Sequence, residues 1–117
     1  MAKYDEFEID QGADFAMEIH LEEQDGTVKD LSNYFVEAKV KRTYNSDSDN
    51  TFNFNAIIAE PETDGIITLE LNNQQTDTMK KGRYVFDVEI SFIDSDNNTI
   101  IERVLEGVMN VKPSATR

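Results

Sequence analysis

Met79-Lys80-Lys81-Gly82-Arg83-Tyr84-Val85-Phe86-Asp87-Val88-Glu89-Ile90-Ser91-Phe92 is the stretch that decides the fold class. Tyr84, Phe86, Val88, Ile90 and Phe92 fall at every second position, with Asp87, Glu89 and Ser91 among the residues between them. Successive side chains leave a strand on opposite faces, so this period of two predicts a half-buried antiparallel strand. A polar turn at 94–98 follows, and a second apolar stretch at 100–111 returns beside the first. In that return Ile101, Leu105, Met109 and Val111 share a parity, but so do Arg103 and Gly107. A bulge near Arg103-Val104 switches parity, and Gly107 marks a close backbone approach. Pro113 has no N–H to donate, so pairing stops at Lys112.

The same alternation recurs outward from this hairpin. Phe7 and Ile9 form a short edge element, and the Asp- and Gly-containing 10–14 segment reads as a turn. Phe15, Met17, Ile19 and Leu21 alternate with Ala16, Glu18, His20 and Glu22. Asp25-Gly26 turns the chain, 27–30 resumes an extended course, and 31–33 reads as a connection. Val36, Ala38 and Val40 define a further strand, and Phe52, Phe54 and Ala56 another. After a turn at 61–65, Ile67, Leu69 and Leu71 face one way. The 72–79 segment lacks alternation and reads as a connection with one helical turn, its Met79 plugging the core.

Seven or eight strands with turn signals every ~8–12 residues are the pattern of a β-sandwich. We therefore expect one domain over residues 1–117, an all-β, immunoglobulin-like antiparallel sandwich with a short N-terminal arm and a C-terminal tail. Tyr84, near the start of a late strand, has the placement of a residue that bonds back to upstream backbone and pins a corner. The alternative is an exposed aromatic at an interface.

Composition narrows the function. The 117 residues carry 24 acidic and 11 basic side chains, a net charge of −13, and no cysteine. That balance opposes binding to nucleic acid, where Lys and Arg neutralise phosphates, and to anionic membranes. It favours solubility, or docking on a basic patch of a larger partner. Thiol chemistry and Cys-based metal sites are excluded. No apolar run approaches the ~20 residues of a membrane span. The N-terminus lacks the basic and apolar regions of a signal peptide, so synthesis in the cytoplasm is expected.

No constellation for catalysis emerges. His20, the only histidine, lies on the polar face of its strand between Glu18 and Glu22, with no nucleophile motif to act on. The 47–50 and 94–98 loops have the oxygen ligands of a calcium loop but not its Gly and Glu spacing, and read as solvated hairpin tips. Acidic pairs such as Glu22/Glu23 and Glu60/Glu62 are expected from composition alone. No catalytic, cofactor-binding or metal-ligating residue is assigned, and no cofactor is expected.

The order of motifs resembles a family. Ile9-Asp10-Gln11-Gly12-Ala13-Asp14-Phe15 comes first, then the 25–34 stretch of the form D-G-x-x-x-D-L-[ST]-x-Y. Asp64-Gly65-Ile66-Ile67-Thr68-Leu69, Gln75-Thr76, the 81–89 strand, the 103–108 segment and Lys112-Pro113 follow. In this order they resemble small immunoglobulin-like virion structural proteins of tailed bacteriophages, similar to the N-terminal module of upper baseplate proteins. The resemblance covers nearly the whole chain. It implies a virion location and an architectural role: an adaptor or accessory present in multiple copies, docking on tail or baseplate proteins through sheet edges and terminal arms. Capsid decoration, a neck component, or a carbohydrate-binding adhesion module are the alternatives. No fibre or receptor-binding extension follows the domain, which puts receptor recognition in doubt. Tyr4, Phe7 and Phe35 fall off the main core pattern and are candidate interface anchors; the alternative for each is satellite core.

Overall fold

The computed structural model describes residues 3–45 and 51–115, and the polar 46–50 loop lies outside them. Eight strands appear in chain order: β1 Lys3–Asp10, β2 Phe15–His20, β3 Phe35–Lys41, β4 Thr51–Asn53, β5 Asn55–Ile58, β6 Ile66–Leu71, β7 Gly82–Ile93 and β8 Thr99–Lys112. A 3-10 turn at Glu62–Asp64 and one short helix, α1 at Asn73–Thr78, complete the order. A five-stranded sheet in the order β1-β8-β7-β3-β4 packs on a three-stranded sheet in the order β2-β6-β5.

All neighbours are antiparallel except β1 and β8, which run parallel from Lys3↔Leu105 to Asp10↔Lys112. The parallel pair follows from the path of the chain. The turn at 10–14 carries it from the edge of one sheet into the other, so β1 lies beside β8 rather than beside β2. The N-terminal segment is therefore an edge strand of the large sheet from Lys3 onward. Gly107 is where that edge comes closest, since a Cβ there would run into the backbone carbonyl of Asp5.

The predicted bulge lies at Val104. β7 and β8 pair Val88↔Leu105 and then Glu89↔Arg103, so one extra residue interrupts the ladder. Below the bulge Leu105, Met109 and Val111 face the interior and are buried. Above it the register has switched, and Ile101 and Arg103 lie opposite Ser91 and Glu89 on the solvent side.

The interior between the sheets is one apolar cluster. Phe86, Leu31, Ile67, Leu69, Leu71, Met79, Ile90 and Met109 are fully buried in it. Phe86 sits edge-on to Phe7 and Phe54, at centroid distances of 5.0 and 6.3 Å. The expected Tyr84 corner is present: its hydroxyl donates to the Lys80 carbonyl at 2.9 Å. Arg42 lays its guanidinium 4.8 Å over the same ring, and its buried Nη1 has no hydrogen-bond partner. Met79 plugs the core as expected, positioned by α1, whose N-terminus is capped reciprocally by Asn72 and Gln75.

Two readings change. The 51–58 segment, expected as one strand, divides at Phe54, with β4 pairing β3 and β5 pairing β6. The chain changes sheets there, and Phe54 is buried at the crossing. Leu31, read as part of a connection, is fully buried, and its N–H donates to the Glu62 carbonyl at 3.0 Å. It thereby clamps the β2–β3 connection onto the 3-10 turn.

Leu31→Ala is expected to cost about 2–5 kcal/mol in urea unfolding, because it opens a cavity in a closed interior. Tyr84→Phe, which removes only one hydrogen bond, is expected to cost about 1 kcal/mol. A Leu31→Ala loss below that of Tyr84→Phe would show that the clamp is dispensable.

Candidate functional site

Among the described residues the exposed large apolar side chains are not spread evenly. Phe35, Ile93 and Ile101 are 64%, 57% and 62% exposed. Phe35 and Ile101 both lie opposite Ser91, one from each side, so they stand about two strand spacings, ~10 Å, apart on the outer face of the large sheet. Ile93 is two residues further along β7 on that face. Ile100 and Val28, also exposed, belong to the same end of the sandwich. The β7–β8 hairpin, the 21–34 connection and the 59–65 turn meet there.

These segments pack as one surface. The N–H of Leu21 donates to Gly65 O at 2.8 Å, and Gly65 itself has φ 66°. A Cβ at Gly65 would lie 2.6 Å from the Lys29 carbonyl, so the close approach and the left-handed backbone both call for glycine. Lys29 Nζ sits 3.1 Å from Glu23 and 5.3 Å over the Tyr34 ring, which in turn packs on Phe92. A groove of about 650 Å³ runs between the 22–29 segment and β8, lined by Leu21, Glu22, Glu23, Asp25, Lys29 and Glu102 among others.

Charge is unevenly distributed over the described residues. The 21–34, 59–65 and 94–102 segments hold ten carboxylates and one lysine. At the other end, residues 10–14, 41–45, 72–83 and 110–113 hold six basic and three acidic side chains. Burial opposes the charge on Lys29, but its hydrogen bond to Glu23, with Tyr34 and Glu102 nearby, holds its pKa above the ordinary lysine value. Asp25 is held below the usual carboxylate range by hydrogen bonds from the Thr27 hydroxyl and N–H, and Asp30 by Ser32.

The sequence-derived anchors fall in different places. Tyr4 is 62% exposed on the outer face of β1, its hydroxyl donating to Glu6 at 2.8 Å. Phe35 belongs to the apolar cluster at the acidic end. Phe7 is half-buried between the sheets, stacked on Phe15 at 5.2 Å, and does not join the other two on the surface. Ile93, Ile101 and Tyr44 were not singled out from sequence. Ile93 carries a signal all the same, since it continues the mostly polar parity of β7.

The candidate chemical groups named from sequence lie apart from this surface or are engaged locally. His20 is exposed, with Glu18 at 3.6 Å. Among the described residues no three His, Asp or Glu side chains gather to hold a metal ion. Asp94 uses its carboxylate to accept from the N–H groups of Asp96 and Asn98, which closes the hairpin tip. The outer sheet face has a shallow depression of about 330 Å³ beside Tyr44, floored by Val85 and lined by Glu37, Lys39, Lys41, Asp87 and Glu89. Arg103 stands on that face between Asp87 (3.5 Å), Glu89 (3.9 Å) and Glu106 (3.9 Å).

Among solved structures, murine CRIg matches 92% of this chain with 92% of its own, at 16% identity and a TM-score of 0.52. The fold is immunoglobulin-like. InlP of Listeria monocytogenes matches at 16% identity and a TM-score of 0.42, over 97% of this chain and 28% of its own. AggA, the major subunit of aggregative adherence fimbriae type I from Escherichia coli, matches at 8% identity and 0.38, over 92% and 89%. No protein-family model matches the chain, and no curated protein matches its sequence.

In a carboxylate NMR titration, Asp25 and Asp30 are expected to protonate below the ~3.9 of a blocked aspartate. The turn stability they add is then complete above that value and is lost as pH falls through their depressed pKa values. Thr27→Val, which removes the hydroxyl but keeps the N–H, is expected to move Asp25 part of the way back towards the reference; an unmoved value would remove the hydroxyl hydrogen bond as a cause.

Proposed function

We propose that this chain is a non-enzymatic structural protein of a tailed-phage virion, an adaptor or accessory that docks on the tail or baseplate and is present in multiple copies. The observation that carries the docking reading is the set of exposed apolar side chains gathered on a rigid sheet end, Phe35, Ile93 and Ile101 above all. Isolated apolar residues on a surface need no explanation, but grouped ones on ordered strands favour a contact. The edge strands β1 and β4 of the large sheet and β2 and β5 of the small one offer further backbone groups for pairing. The phage assignment is supported by the ordered motifs from Ile9 to Pro113. The acidic surface disfavours nucleic acid and anionic lipid as partners.

Antibodies to the folded chain are expected to label the tail or baseplate of particles from a phage that encodes it. Label on the shell or neck moves the attachment point, and particles that lack the polypeptide by mass spectrometry overturn the virion role. A broad hydrolase screen is expected to return no turnover that His20→Ala abolishes; such turnover would make the chain an enzyme.

A further inference from the structure

We propose that the end of the sandwich formed by the β7–β8 hairpin, the 21–34 connection and the 59–65 turn docks a protein surface with an apolar centre and a Lys/Arg rim. The inference rests on the reading of the chain as a docking module and names the surface and the chemistry of what it takes. Five of the eight exposed large apolar side chains among the described residues lie at this end: Val28, Phe35, Ile93, Ile100 and Ile101. Phe35, Ile93 and Ile101 share one sheet face, while Ile100, one position from Ile101, leaves the ladder on the opposite side. The hairpin tip is thus apolar on both faces, although it projects past the closed interior, and among the described residues these side chains stay exposed.

Charge selects the occupant. Lys3 lines the groove, and Arg103 stands two residues from Ile101, where Asp87, Glu89 and Glu106 engage it. The surrounding segments themselves carry ten carboxylates, nine of them on exposed residues, against the ammonium of Lys29. That ammonium is already engaged by Glu23 at 3.1 Å and by the face of Tyr34. An apolar centre on a net anionic end is complementary to an apolar centre with a cationic rim, and such a match speeds encounter and rejects like-charged surfaces. A second copy of this chain fits less well. Its opposite end offers six basic and three acidic described side chains, too small an excess to balance the acidic end. Exposed large apolar groups are also fewer there among the described residues, with Tyr44 and, within electrostatic reach of it and Arg83, Tyr4. The net charge of −13 adds repulsion between copies. Nucleic acid and anionic lipid carry the wrong sign. The rigid strands that hold Phe35, Ile93 and Ile101 need no ordering on binding, which spares the entropy that a mobile loop would lose.

The test is an amide-shift NMR titration of the full chain with two synthetic peptides. Both have a Leu-Trp-Leu centre; one is flanked by Lys/Arg pairs and the other by Glu/Asp pairs. The cationic peptide is expected to shift amides in 25–34, 60–65 and 92–102, and to bind about tenfold or more weaker near 0.5 M salt than at low salt. Phe35→Ser/Ile101→Thr, both at exposed positions, is expected to keep the thermal midpoint and weaken binding about tenfold. Shifts spread over the whole anionic surface, or an unchanged affinity in the double variant, would overturn the proposal. So would equal binding of the anionic peptide, or concentration-dependent shifts at both ends of the free chain, the mark of self-association. The titration needs no particle, so its failure leaves the virion role standing, and failure of particle labelling leaves this surface standing.

Discussion

Each inward side chain of β7 needs an apolar partner across the interior, and this requirement organises the molecule. Tyr84, Phe86, Val88 and Ile90 are all buried, and they come from the strand that lies third in a sheet of five. Phe86 touches aromatic rings from β1 and from the Phe54 crossing, which draws the N-terminal edge and the sheet-switching segment onto the same centre. Tyr84 ends the row by tying its hydroxyl to the loop that delivers it. Burial of such side chains is the main favourable term in folding, so the hairpin carries the fold and the small sheet acts as its lid.

The bulge at Val104 links that packing to the surface. Below it β8 sends Leu105, Met109 and Val111 inward; above it the same parity emerges on the solvent side. Without the extra residue Ile101 would point towards the interior. With it, an isoleucine stands beside Phe35 and Ile93 on an outer face that is otherwise largely charged. A local irregularity of one residue therefore divides β8 into a structural half and a presenting half, as bulges at sheet margins are known to do.

Much of this was legible in the residues. Alternation located the strands, Arg103-Val104 announced the bulge through its broken parity, and Gly107 announced the close approach of Asp5. Tyr84 and Met79 took the positions their contexts implied. The division at Phe54 was not legible, because a period of two reports which face is buried and not which sheet a residue joins. Leu31 was hidden because it has no alternating neighbours; its burial depends on the 3-10 turn at Glu62–Asp64, thirty residues away in the chain. Of the three anchors named from sequence, Tyr4 and Phe35 are on the surface and Phe7 is between the sheets. An aromatic off the main pattern can serve either purpose, and the positions of Phe15 and Phe86 decide it for Phe7. The acidic end emerged only once topology brought three distant segments together.

The uneven spread of charge has a consequence for how the molecule arrives anywhere. With the anionic loops gathered at one end, the described body carries an uneven charge distribution, and so an electric moment, besides its net charge. Near a charged scaffold it experiences a torque as well as a pull, strongest at low ionic strength and fading over the Debye length. Its heading is selected during diffusion, before any side chain touches, while like-charged neighbours hold their distance from one another.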